Sequence, residues 1–175
     1  MSSAAAPAAG APSADLLGLG GLLNGTLRLV AGVKRNTPLA APITVTQTIG
    51  ASGGTLSIPA AGVTVTVPAG AVSSNVVFTM TARAGSLVAY DFAPHGVTFA
   101  KPLVFKQNLA VTNTNLVSAL LLQLGYYSDP SLLGTVTALV SELTGGSVNY
   151  STWTFTSSIR HFSGYIMSCG RGGDD

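Results

Sequence analysis

An antiparallel β-sandwich of about nine or ten short strands is the fold class this sequence predicts, and three observations carry the expectation. Apolar β-branched and aromatic residues alternate with polar ones in period two, as in Val63-Thr64-Val65-Thr66-Val67. Gly and Pro cut these runs about every eight to twelve residues, the spacing of a sheet punctuated by tight turns. Charged residues make up only 8% of the 175 residues while 47% are hydrophobic and 21 are Gly, against about 25% charged in an average soluble domain. The surface is therefore written in Ser, Thr, Asn and Gly around a dry, uncharged interior.

Three regions are expected: residues 1–40 as a low-complexity, apolar and irregular N-terminal arm, 41–169 as the sandwich, and 170–175 as a tail. Met1 to Pro12 is Ala, Pro, Gly and Ser, a composition that buries too little apolar surface to offset its ordering entropy. Leu16 to Val33 is about as long as a membrane span, yet it holds five glycines, Asn24, Thr26 and Arg28, which suit a docking or membrane-surface segment better than a true span. Its apolar side chains, Leu16, Leu17, Leu19, Leu22, Leu23, Leu27, Leu29 and Val30, are the candidate partner-binding residues. The N-terminus has no basic stretch followed by an apolar run and cleavage site, so no signal peptide is read.

From Ile43 the texture becomes β. Ile43 to Gln47 alternates and the glycines from Gly50 to Gly54 turn the chain. Val63, Val65 and Val67 are expected to face the core with Thr64 and Thr66 outward, and Pro68-Ala69-Gly70 ends that strand. Val76 to Thr81, Leu87 to Phe92 and Leu103 to Lys106 continue the pattern. Leu116 to Tyr127 reads either as an apolar helical turn leading into a strand or as a strand throughout; Gly125 and the aromatic pair Tyr126-Tyr127 favour the strand. Ser128-Asp129-Pro130 is a turn, Thr135 to Leu143 a strand closed by Gly145-Gly146, Tyr150 to Thr156 another, and Ile159 to Ser168 the last.

The chemical inventory is small: six acids, two histidines and one cysteine. Asp91, Asp129 and Glu142 lie far apart, so paired carboxylate chemistry has no visible basis. Cys169 can form no internal disulfide, no zinc spacing exists, and the residue reads as a small buried hydrophobe rather than a reactive thiol. His95, between Pro94 and Gly96, reads as an exposed turn histidine. The net charge of +2 comes from scattered cations, of which only Lys34 and Arg35 are adjacent, which speaks against nucleic acid as a partner. Arg171-Gly172-Gly173-Asp174 carries one glycine too many for an Arg-Gly-Asp adhesion tripeptide. No cofactor, metal or small-molecule substrate is expected.

Two segments are more specific. Gly53 to Ala71, with its Ile-Pro-Ala-Ala-Gly and Val-Pro-Ala-Gly turns, and Asp91-Phe-Ala-Pro-His-Gly-Val-Thr-Phe99-Ala-Lys-Pro102 together resemble the ZU-five (ZU5) domain family, with further likeness at Tyr126-Tyr127 and His161 to Tyr165. The resemblance implies a β-sandwich module that binds protein partners and does not turn over substrates. Its bacterial members, and the composition rich in Ala, Gly, Thr and Val, suggest an extracytoplasmic, membrane-associated accessory subunit docked on a larger assembly, such as a bioenergetic or secretion complex, through the arm.

His161-Phe162-Ser163 also resembles a self-cleavage site found beside domains of this type. The resemblance implies Ser163 as nucleophile, His161 as base and the Phe162–Ser163 bond as target. On a regular strand the Cβ atoms of i and i+2 are about 6.5–7 Å apart, too far for a direct hydrogen bond, so the motif needs a kinked backbone that Gly164 could permit. Otherwise Phe162 packs in the core and its neighbours sit on the outer face.

Overall fold

The computed structural model describes residues 27–171. Fourteen strands make up this stretch: β1 (Arg28–Gly32), β2 (Lys34–Leu39), β3 (Ile43–Ile49), β4 (Gly54–Ile58), β5 (Val63–Val67), β6 (Val76–Ala82), β7 (Gly85–Leu87), β8 (Ala89–Ala93), β9 (Thr98–Asn108), β10 (Leu122–Tyr127), β11 (Thr137–Val140), β12 (Glu142–Asn149), β13 (Thr154–His161) and β14 (Gly164–Arg171). One four-residue helix, α1 (Leu116–Ala119), precedes β10. The all-β expectation holds, with more strands than the nine or ten read from periodicity.

Twelve strands form one antiparallel sheet whose path runs β3-β6-β8-β14-β10-β12-β13-β9-β5-β4, with β1 and β11 attached beside β14. β2 and β7 pair separately. The sheet folds over on itself at β12, whose first half pairs β10 and whose second half pairs β13. The two end strands, β3 and β4, follow each other in sequence and lie side by side without pairing. The result is a sandwich whose two halves share one continuous sheet and nearly close.

Alternation decides which side chains fill the interior. Val63, Val65 and Val67 are buried as expected, and they share one core with Leu103, Phe105 and Phe155 of the neighbouring β9 and β13 and with Phe78, Met80, Phe92, Phe162 and Met167. A smaller second core of Val30, Leu87, Ala89, Tyr127, Ala138, Val140 and Ile166 lies on the other face of β14. On that face Tyr127 lies directly over Gly164, its register partner; a Cβ at residue 164 would come within 2.0–2.4 Å of the Tyr127 ring. The tyrosine supplies across the strands the packing that the glycine lacks. Gly164→Ala is therefore expected to destabilise the protein by about 1–3 kcal/mol, read as a lower urea midpoint at unchanged m-value.

Several sequence expectations need correction. Residues 28–39, taken as part of an irregular arm, are β1 and β2: β1 inserts between β11 and β14, and Val30 is fully buried in the second core. Their glycine and charge content hid the strands, whose pairing partners lie more than a hundred residues away for β1 and about fifty for β2. Leu116 to Ala119 is helical, closed at its start by Asn115, whose side chain accepts from the backbone N–H of Val117 and Ser118 while Ser118 Oγ accepts from the Asn115 N–H. Gly145-Gly146 lies inside β12 and does not end it; a Cβ on Gly146 would strike the Thr156 carbonyl oxygen at 2.4 Å, so glycine allows the close strand approach at the fold-over. Residues 150–153 form a turn and the strand starts at Thr154. Finally, 159–168 is two strands broken at Phe162-Ser163.

Candidate functional site

The break between β13 and β14 places the His161-Phe162-Ser163 motif at a corner of the sandwich. β13 pairs β9 with a register shift between Ile159 and His161, and after Ser163 the chain enters β14 in the opposite half of the sheet. The kink that the motif requires is thus present. Phe162 points inward, with its ring 5.0 Å from Phe78, 5.1 Å from Phe92 and 4.9 Å from Phe99 between centroids.

The polar groups of the motif face different ways. His161 Nε2 lies 3.3 Å from Glu142 Oε2, and the edge of the Tyr126 ring packs against the imidazole at 4.7 Å. Tyr165 donates its hydroxyl proton to the His161 carbonyl at 2.9 Å. Burial first, and then the nearby Glu142 carboxylate, push the Tyr165 phenol well above the ordinary tyrosine value. The Ser163 hydroxyl is buried and donates to the Tyr127 carbonyl oxygen at 3.4 Å, while the Ser163 carbonyl accepts from the Phe92 N–H at 2.9 Å. The sequence motif therefore gathers three residues whose hydrogen-bond partners are distinct: Glu142 for the imidazole, Tyr127 for the hydroxyl. Beside the imidazole, Glu142, Thr144, Ser158, Arg160, His161 and Tyr165 line a shallow cleft of about 380 Å³.

Next to the corner, Tyr127 ties β10 to β8 across β14. Its hydroxyl donates to Asp91 Oδ1 at 2.8 Å and lies 3.0 Å from the Tyr90 carbonyl, and Asp91 Oδ2 accepts from Arg83 at 2.6 Å. Desolvation and the Asp91 charge raise the Tyr127 phenol, so it stays a donor at any ordinary pH.

Of the predicted partner-binding residues, Leu16, Leu17, Leu19, Leu22 and Leu23 lie outside the described residues. Leu27 is half-buried, Leu29 on β1 is 41% exposed, and Val30 belongs to the core, which removes it from any docking surface. The exposed apolar surface that sequence reasoning missed is the tip before β10: Leu116, Val117, Leu120 and Leu121 are 56–75% exposed, while Ala119 alone pins the helix to the core. Its signal was the run of seven apolar residues between 116 and 124, read as strand; only five of the nine positions 116–124 could face one interior in either periodicity.

Arg35 is the second residue missed. In a chain with few charges it reads as surface, yet it is buried with its guanidinium carbon 5.5 Å from the Tyr90 ring centroid. Its Nη atoms donate to the carbonyl oxygens of Arg83, Gly85, Leu87 and Ala89. Tyr90 in turn donates to Gln107 Oε1 at 2.5 Å, and burial pushes its phenol up to about 12. This guanidinium holds β7 and the start of β8 to β2 where only short strand pairing does so.

Cys169 is half-buried on β14 with its thiol raised by burial, which disfavours the reactive thiolate. His95 is exposed in its turn. Among the described residues, no three His, Cys, Asp or Glu side chains cluster as a metal site would need, and no helix is long and apolar enough to cross a membrane.

Residues 45–86, covering β3 through most of β7, match the family model of the ZU5 domain. The Asp91 to Pro102, Tyr126-Tyr127 and His161 to Tyr165 segments fall outside that match. No curated protein matches the chain. ZU5 domains are protein-interaction modules. The Ile-Pro-Ala-Ala-Gly and Val-Pro-Ala-Gly turns and the strands they bound coincide with the family match, so residues 45–86 are similar to a ZU5 domain.

Proposed function

We propose that the chain is a non-enzymatic protein-interaction subunit that docks on a larger, membrane-associated and extracytoplasmic assembly through the apolar segment preceding β1. The observation that carries this reading is the apolar end of the sandwich: the exposed tip Leu116, Val117, Leu120 and Leu121 stands at the same end of the sheet at which the chain enters β1 after Leu16 to Leu27. An apolar patch of this kind marks an interaction surface in a protein otherwise covered with Ser and Thr. The narrow inventory of acids and the engagement of His161 with Glu142 while Ser163 bonds the Tyr127 carbonyl support binding over turnover.

Deleting residues 1–26 leaves every described strand intact, so the shortened chain is expected to fold with an unchanged far-ultraviolet spectrum and to lose co-purification with its native complex. Undiminished co-purification overturns the docking role of the segment.

Self-processing at Phe162–Ser163 is the second reading, favoured by the kinked backbone at the motif. It requires Ser163 Oγ to leave the Tyr127 carbonyl and attack the Phe162 carbonyl carbon, its proton passing to His161; the Phe162–Ser163 C–N bond then breaks as the imidazolium returns that proton to the Ser163 nitrogen, and water hydrolyses the resulting ester to the Phe162 carboxylate and the free Ser163 hydroxyl. Intact mass after prolonged incubation is expected to show the full-length species for wild type and Ser163→Ala alike. A wild-type fragment ending at Phe162 and absent from Ser163→Ala reverses the choice.

A further inference from the structure

The tip before β10 presents Leu116, Val117, Leu120 and Leu121 to water at 56–75% exposure. It is a built element, because the Asn115–Ser118 capping interactions fix the helix and Ala119 anchors it. β1 and β10 flank β14 on opposite edges and both run antiparallel to it, so Gly32 and Gln123 stand level on either side of Ser168. The tip and the start of β1 therefore lie at the same end of the sheet, two strand spacings or about 10 Å apart.

The charges are sorted along the same direction. Residues 27–171 contain all eight Lys and Arg of the chain but only three of its six acids. Those three lie toward the end remote from the tip: Asp91 pairs with Gly164 at the start of β14, Glu142 pairs with Tyr126 near the end of β10, and Asp129 follows that strand. There Asp91 and Glu142 are engaged by Arg83 and His161. Two cations flank the tip instead. Arg28 is exposed at the first position of β1, farther out than Gly32. Lys34 donates its backbone N–H to the Asn113 side chain and accepts the Asn113 N–H at its carbonyl, which sets it beside the residue two positions before the helix cap. Neither cation is ion-paired among the described residues, and residues 107–128 contain no Asp, Glu, Lys or Arg.

This arrangement selects the occupant. An apolar patch of a few hundred Å² is well below the roughly 800 Å² per partner of a stable protein interface, so the tip by itself does not hold a second copy of the chain. A bilayer accepts a small apolar element without a complementary shape and gains from cations beside it when its headgroups are anionic.

We infer that the Leu116–Leu121 tip inserts into an anionic phospholipid surface, its apolar side chains entering the acyl boundary while Arg28 and Lys34 meet headgroup phosphates. The inference rests on the reading of the chain as membrane-associated and adds the point at which it touches lipid.

The test uses the purified full-length chain and protein-free vesicles. Binding to vesicles of phosphatidylcholine with phosphatidylglycerol is expected to be at least about tenfold stronger than to phosphatidylcholine alone, and the preference to shrink as salt is raised. Leu120→Ser with Leu121→Ser is expected to weaken binding to the mixed vesicles at least about tenfold, and Arg28→Gln with Lys34→Gln to do the same. Melting curves check that each variant is folded. A polarity-sensitive fluorophore on Leu120→Cys, in a Cys169→Ser chain, is expected to shift to the blue on adding mixed vesicles. The same fluorophore on Thr46→Cys, exposed on β3 and level with the opposite end of β14, is expected to keep its spectrum.

No vesicle binding, equal binding to both vesicles, binding undiminished by the two serines, or an equal shift at both fluorophores overturns the inference. So does a wild-type dimer that the two serines dissociate, which points to a second copy on the tip. No native complex enters these measurements, so insertion can fail while docking through the segment preceding β1 stands. Co-purification undiminished by deletion of residues 1–26, with vesicle binding by the tip intact, has the reverse meaning.

Discussion

Phe162→Ala is expected to lower the stability of the protein by about 3–5 kcal/mol, the largest effect of any single substitution in the self-cleavage-like motif. The ring is buried at the corner where β13 passes into β14 and touches aromatic partners from β6, β8 and the start of β9. Truncation removes its apolar burial and three edge or stacked contacts, each worth about 0.5–1.5 kcal/mol beyond area. It also leaves a cavity among strands of both halves, which cannot collapse without opening the sheet. His161→Ala, by contrast, loses a partly exposed contact with Glu142 and is expected to stay within about 1 kcal/mol of wild type. Urea unfolding of the two variants separates the outcomes: equal small effects would mean that Phe162 is not a core residue and that the corner is placed differently.

Arg35→Met is expected to cost about 3 kcal/mol, because the substitution keeps most of the apolar stem and removes the donors that four carbonyl oxygens share. Arg35→Lys is expected to recover less than half of the loss, since one ammonium cannot reproduce the planar fork or its stacking on Tyr90. Lys106→Met, at an exposed cation, is expected to change stability by no more than about 0.5 kcal/mol. Thermal or urea unfolding checks all three. A neutral Arg35→Met would show that the β2–β7 pair holds without the guanidinium.

The contrast between Arg35 and Val63 explains how much of the fold was legible in the chain. At Val63, Val65 and Val67 the local period of two already states which face is inward, because each strand must bury one face and the alternating threonines cannot be that face. Arg35 carries no such local signal: a cation is stable inside only where carbonyls from other strands converge, and those carbonyls belong to residues about fifty positions later. β1 and β2 were hidden for the same reason. Val30 and Lys34 have no regular alternation around them, and it is the partners Ala138 and Leu87 that make strands of their segments.

The candidate site divides similarly. His161-Phe162-Ser163 was visible as a motif, and the need for a bend at it followed from strand geometry alone. The direction of each side chain was not visible, since it depends on Glu142, Tyr127 and Tyr165 arriving from three strands. The apolar run from Leu116 was equally visible, while its exposure was not: the Asn115 cap turns it into a helix outside the sheet rather than a strand within it.

By itself, then, the amino-acid order determined an all-β molecule with a mostly apolar interior, the turns of its ZU5-like stretch, the inward valines and the bend-requiring motif, because periodicity, Gly and Pro act over a few bonds. Tertiary structure decided the fold-over at β12, the enclosure of Arg35, the different hydrogen-bond partners of His161 and Ser163 and the convergence of the β1 and β10 starts at one apolar end. Those depend on pairings between residues tens of positions apart, whose register is set by mutual packing and not by any local preference.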